Sequence, residues 1–208
     1  MGILKLIKMK KGCLISIIVV AFLALIALFI GLWVSKVYNG MVTMQETVTS
    51  QWGNVQTSYQ RRSDLIPNFV NTVKGAANFE QTTLTQVIEA RAKATSITID
   101  PTKMTAENMQ QFQQAQGQLS SSLSKLMVVV EQYPELKATQ NFRDLQIELE
   151  GTENRISVER KKFNDVALTY NTFIRKFPQN FLAGIFSFQI KPYFEADKGA
   201  EKTPEVKF

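Results

Sequence analysis

The side chains best suited to chemistry are charged. They fall in two blocks, Arg61, Arg62 and Asp64 early, and Glu148, Glu150, Glu153, Arg155 and Glu159 later. A group of carboxylates suggests a metal site or a general acid and base pair. Glu148 and Glu150 are two apart, however, and two-apart residues face different sides of a helix. The 208-residue chain has no His and one Cys. Without an imidazole there is no Ser-His-Asp or Cys-His nucleophile. Zinc sites of His or several Cys are excluded, and so are Glu-x-x-His di-iron sites. Only a hard-ion oxygen site would remain, and these spacings do not build one. Gly75 and Gly151 are isolated, so no phosphate-cradling loop is present. The expectation is a non-enzymatic protein with no catalytic residues, no cofactor and no metal.

The charges have a structural use instead. Arg62 falls in an apolar register, three residues after Tyr59 and four before Ile66, while Glu153 lies three before Ile156. An inward Arg needs a carboxylate, because a lone buried charge is costly. This predicts an interhelical ion pair joining Arg61 or Arg62 to Glu148, Glu153 or Glu159, with Asp64 and Arg155 as further members. Breaking a fully buried pair from one side would cost roughly 3 to 5 kcal/mol. Its role is to set helix register. Arg160-Lys161-Lys162 reads as a solvated face, and Met41, Met44, Met104, Met109 and Met127 read as core.

These residues must be held by helices. Leu14 to Val34 is apolar throughout except for Ser16 and would span the ~30 Å hydrocarbon core at ~1.5 Å per residue. It predicts a single transmembrane helix (14–34) behind a basic flank (1–13). A cleaved signal peptide would have a shorter apolar run and a small-residue cleavage site. Lys5, Lys8, Lys10 and Lys11 precede the run and only Lys36 closely follows it. The positive-inside rule therefore places the N-terminus in the cytoplasm and the rest outside it. The formal net charge is +6, from 24 basic and 18 acidic residues. Setting those four lysines aside leaves a nearly balanced body, so no nucleic-acid partner is expected.

After the anchor, apolar residues recur in steps of three and four: Val37, Met41, Met44, Val48, Trp52, Val55 and Tyr59, then Ile66, Phe69, Val73, Leu84 and Val87. Pro67 interrupts this run, and a turn there is preferred over a kinked continuation. A connector follows at Ser96–Thr105. Met109, Phe112, Gln116, Leu119, Leu123, Leu126, Val130 and Tyr133 then form a 3.5-residue seam. Pro134 suits the first position of a fourth helix, about 40 residues and ~60 Å long, which Pro178 stops. The predicted fold is all-α: a transmembrane helix followed by an up-and-down, antiparallel four-helix bundle (36–177) and an aromatic tail (178–208). Trp33, Phe181, Phe186 and Phe188 are candidates for the membrane interface. The tail equally suits packing along the bundle, and both readings stay open. Asp197 to Thr203 reads as a linker, with Val206 and Phe208 as a docking end.

Tyr38-Asn39, the run Arg61 to Val70 (RRSDLIPNFV), Glu131 to Lys137 (EQYPELK), Leu145 to Leu149 (LQIEL), Thr152 to Ile156 (TENRI), Phe163-Asn164, Tyr170-Asn171, Phe177-Pro178, Lys191 to Phe194 (KPYF) and Val206 to Phe208 occur in this order. This succession resembles the LemA family of bacterial membrane proteins along essentially the whole chain. The resemblance implies one N-terminal membrane helix, a helical bundle and no established enzymatic activity. One departure is that Ala76 and Phe79 stand where many relatives have Tyr and His. Together these readings predict a single-pass protein of the bacterial cytoplasmic membrane. It would act as an interaction or scaffold module that contacts lipid, self-associates as a homo-oligomer and engages a membrane protein partner. The alternative is a lipid- or hydrophobic-ligand-handling protein with an apolar groove.

Overall fold

A computed structural model describes residues 11–75 and 80–195, with side chains from residue 15. The lysines before Lys11, the Ala76 and Phe79 departure, and the linker with Val206 and Phe208 lie outside the described residues. The helices are α1 (Lys11–Lys74), α2 (Gln81–Ser96), α3 (Ala106–Val130), α4 (Pro134–Lys137), α5 (Gln140–Arg175) and α6 (Gln179–Ile185). A short 3-10 turn, Pro101–Lys103, sits in the connector between α2 and α3. No strand occurs among the described residues. The fold is all-α.

The first correction concerns α1. It does not turn at Pro67 but runs unbroken from the apolar segment to Lys74. It therefore absorbs the expected first helix and half of the expected second. Proline withdraws the N–H that would bond the carbonyl four residues earlier, here that of Ser63. The Arg91 side chain supplies the missing donor, with Nε 2.7 Å from the Ser63 oxygen. The second correction concerns Pro134, which opens only the single-turn α4. The long helix begins at Gln140, after Thr139 caps it by accepting from the Phe142 N–H.

Pairings along the helices give the topology. Gly40 faces Phe173, Gln51 bonds Glu159, Arg61 meets Glu148, and Phe69 packs on Phe142. Hence α5 runs antiparallel to α1. In contrast, Trp52 contacts Phe112 and Arg62 reaches Gln116 and Ser120, so α3 runs parallel to α1. The hairpin partner α2 descends between them in sequence, giving up-down-up-down order.

The apolar stripes meet in two clusters. One holds Val37, Met41, Val48, Trp52, Val55 and Tyr59 of α1 with Phe112, Phe163, Tyr170 and Ile174. The other holds Ile66, Phe69 and Val73 with Leu84, Val87, Leu119, Leu126, Val130 and Phe142. Each large side chain so buried contributes about 1.5 to 3 kcal/mol relative to exposure. Below the bundle, Ile15 through Leu32 of α1 stay exposed. That part of α1 is long and apolar enough to cross a membrane.

The segment after α6 climbs back along the bundle and is partly core. Asn171 donates to the Lys191 carbonyl and accepts from the Lys191 N–H, both at 2.8 Å. Asn164 grips Phe194 in the same way, at 2.9 and 2.8 Å. The two amides are two helical turns apart on α5 and act as ladder partners for an extended strand of chain. Phe194 then stacks on Trp52, with ring centroids 6.0 Å apart.

Candidate functional site

Arg62 sits in α1 between the two apolar clusters, and its side chain is 2% exposed. Its Nη1 donates to Glu153 Oε2 of α5 and to Ser120 Oγ of α3, each at 2.8 Å. Its Nη2 donates to Gln116 Oε1 of α3. Gln116 in turn donates to the Ala94 carbonyl of α2 at 3.1 Å. The Tyr59 ring lies under the guanidinium, 5.1 Å from centroid to carbon. One side chain thus joins all four long helices at one level. Its Nε has no hydrogen-bond partner and is buried.

The Glu153 side chain is 52% exposed, so the pair is asymmetric. Solvent already stabilises the carboxylate, and losing it costs less than breaking a fully buried pair. Arg61 pairs with Glu148 at 2.8 Å, but both ends are exposed. Such pairs contribute about 0 to 1 kcal/mol. Glu159 is not a partner of Arg61 or Arg62. It accepts from Lys162 at 2.9 Å and from Gln51 at 2.6 Å. Lys162, then Gln51, hold its carboxyl below the ordinary value, with Arg155 helping at longer range. Asp64 accepts from Gln60 on its own helix rather than joining an interhelical pair.

Two clefts open on either side of Arg62, Ser120 and Glu153. One is a polar groove of about 930 Å³ that also touches Lys93, Lys125 and Arg160. The other, about 270 Å³, lies between α3 and α5 and is floored by Phe69, Leu123, Met127 and Leu149. Among the described residues no group of three or more Cys, Asp or Glu converges as a metal site. The chemistry available at Arg62 is hydrogen bonding and charge compensation.

The interface candidates gather at the base of the bundle. Trp33 and Phe181 are exposed. Phe186 and Phe188 pack edge-on against Tyr38, at 4.9 and 5.8 Å. Sequence reasoning missed Lys191, which is buried with Nζ 2.7 Å from the Pro101 carbonyl. Burial lowers its pKa, and nearby Asp100 opposes that shift. It also missed the hydroxyl of Tyr170, which burial pushes up to about 12 and which donates to the Gln189 carbonyl. Lys191 stood in the sequence only as the first residue of the family-like run Lys191 to Phe194, with nothing in that run to mark it as buried. The seven-residue spacing of Asn164 and Asn171 on the buried face of α5 was the available signal for the tail's attachment.

A long apolar-ended helix entering an antiparallel bundle, with an ion-paired hub joining its helices, defines a class of helical-bundle protein with a candidate membrane anchor. The chain belongs to the LemA family, which it matches over residues 51–208. It is similar to magnetosome protein MamQ 1 of Paramagnetospirillum magneticum, 27% identical over 96% of this chain and 78% of that protein. Magnetosome protein MamQ of Magnetospirillum gryphiswaldense is also 27% identical, with the same coverage. Protein LemA of Metamycoplasma hominis is 25% identical over 78% of this chain and 70% of its own length.

Proposed function

We propose that the protein is a single-pass, membrane-anchored, non-enzymatic interaction module that associates with other copies and with a membrane protein partner. The observation that carries this is the continuity of α1. One helix of 64 residues is exposed and apolar at one end and forms the bundle core at the other. A helix without a break transmits position from bilayer to bundle, which suits a scaffold. The N-terminus faces the cytoplasm and the bundle lies outside it, on the lysine asymmetry. Light scattering of the detergent-solubilised protein tests self-association, and a strict monomer at micromolar concentration overturns that part. Protection of a tag after Phe208 from external reagents overturns the orientation. Crosslinking and affinity purification from native membranes tests the protein partner.

A second reading is favoured by one feature, the apolar floor of the cleft between α3 and α5. A lipid chain or similar ligand would lie on Phe69, Leu123, Met127 and Leu149. Native mass spectrometry after mild extraction separates the two readings. A reproducibly bound lipid supports ligand handling, and an empty protein supports the scaffold.

A further inference from the structure

The base of the bundle carries a second apolar surface. Leu182 and Ala183 of α6 pack into the lower core, in the cluster against which Val34 of α1 also packs. The apolar segment ends at Val34, and Phe186, which follows α6, meets Tyr38, only four residues or ~6 Å further along α1, with ring centroids 4.9 Å apart. Phe181 and Ile185 of α6 and Phe177 just before it are instead 64%, 72% and 79% exposed. Phe181 and Ile185 lie one turn apart on the helix, and the Phe177 ring extends the row by meeting the Phe181 ring, with centroids 5.9 Å apart. Exposing three large apolar side chains in a row to water is unfavourable, and such rows mark association surfaces.

The charges around this row have one sign. Between Gly12 and Gln45 the only charged residue is Lys36, and between Val166 and Phe194 they are Arg175, Lys176 and Lys191. Lys191 is turned inside, whereas Lys36, Arg175 and Lys176 are exposed. No carboxylate occurs in either stretch. Aromatic residues beside exposed cations, next to the end of an apolar helix, match the headgroup region of an anionic bilayer.

We infer that α6 with Phe177 is a second membrane contact: Phe177, Phe181 and Ile185 insert at the interface, and Lys36, Arg175 and Lys176 meet anionic phospholipid headgroups. This rests on the reading of α1 as bilayer-spanning. The bundle is then fixed at two points, so it holds a set attitude to the membrane instead of swinging on one helix.

The test uses the full chain with Cys13→Ser and one nitroxide-labelled cysteine, reconstituted in vesicles of equal phosphatidylcholine and phosphatidylglycerol. Labels go on Phe181→Cys or Ile185→Cys. Leu23→Cys reports the anchor, and Ile147→Cys, far up α5 and 67% exposed, reports solvent. Collisions with oxygen should exceed those with a water-soluble nickel complex at 181 and 185, as at 23, and the order should reverse at 147. Vesicles of phosphatidylcholine alone should reduce the immersion at 181 and leave 23 unchanged. A solvent-like label at 181 with an immersed label at 23 overturns the second contact and leaves the anchor standing. A solvent-like label at 23 overturns both. Low access to both reagents at 181 with spin–spin broadening assigns the row to a second copy and overturns the proposal. Unchanged immersion without phosphatidylglycerol overturns the role given to anionic lipid.

Discussion

Arg91 of α2 donates its Nε–H to the main-chain oxygen of Ser63, 2.7 Å away, and so occupies the carbonyl that Pro67 leaves without a helical donor. An unsatisfied half-buried carbonyl costs about 1 to 3 kcal/mol. Arg91→Met, which keeps much of the stem, should therefore destabilise the bundle by about that amount. Pro67→Ala restores the N–H, so the same Arg91 change should cost less in that background. Chemical denaturation of the four variants gives the coupling, expected at about 1 kcal/mol. Strict additivity would show that the contact does not stand in for the helical bond.

Arg62 is more central than its carboxylate partner. Arg62→Ala removes a buried side chain and orphans the Gln116 and Ser120 contacts, and should cost about 3 kcal/mol or more. Glu153→Gln keeps a hydrogen-bond acceptor at a half-exposed position and should cost only about 1 to 2 kcal/mol. Thermal melting of both variants checks the order. A larger loss for Glu153→Gln than for Arg62→Ala would refute the hub.

The tail is held by two amides that bond main chain on both sides. Asn164→Ala removes two hydrogen bonds, and Asn171→Ala three, counting the one Asn171 donates to the Tyr193 hydroxyl; each should cost about 2 kcal/mol. The first consequence should be local, because the segment from Ser187 to Glu195 packs from outside the four long helices. Limited proteolysis should cut that segment in the variants several-fold faster than in the parent, at temperatures well below global melting. Equal rates would mean the two amides do not hold the tail and its other contacts suffice.

Trp52 is fully buried against Phe112, Phe163 and Phe194 and donates to the Ile99 carbonyl at 3.3 Å. Trp52→Phe keeps a ring but leaves that carbonyl unpaired, for about 1 to 3 kcal/mol. Trp52→Ala should cost about 3 to 5 kcal/mol. Denaturant midpoints at matched slope decide between them: no loss in Trp52→Phe would remove the hydrogen bond's contribution, and equal losses in the two variants would remove that of the ring.

Glu159 gives a pH dependence of known sign. Its folded pKa is lowered from 4.5 by Lys162 and Gln51. A depressed carboxylate contributes stability that is complete above the unfolded value and is lost as pH falls through the folded one. Melting temperature should therefore drop below pH about 4.5, and Glu159→Gln should flatten part of that drop. An unchanged acid limb in the variant would exclude Glu159 as a contributor.

The helical stripes were legible because burial acts on local spacing. Met109, Phe112, Leu119, Leu126 and Val130 of the α3 seam are buried where their period places them. The need for a charge partner at Arg62 was legible for the same reason, since its register points inward. Its choice of Glu153 over Glu148 and Glu159 was not, because that depends on the level at which α1 and α5 pass. The continuity of α1 through Pro67 depends on Arg91, which is remote in sequence. Thus periodicity, the apolar run and the missing imidazoles determined the fold class, the candidate anchor and the chemistry that is excluded. Tertiary structure alone decided where helices break, which carboxylate pairs and how the tail divides between core and surface. Those outcomes rest on single hydrogen bonds and contacts between segments far apart in the chain, and a local pattern holds no record of them.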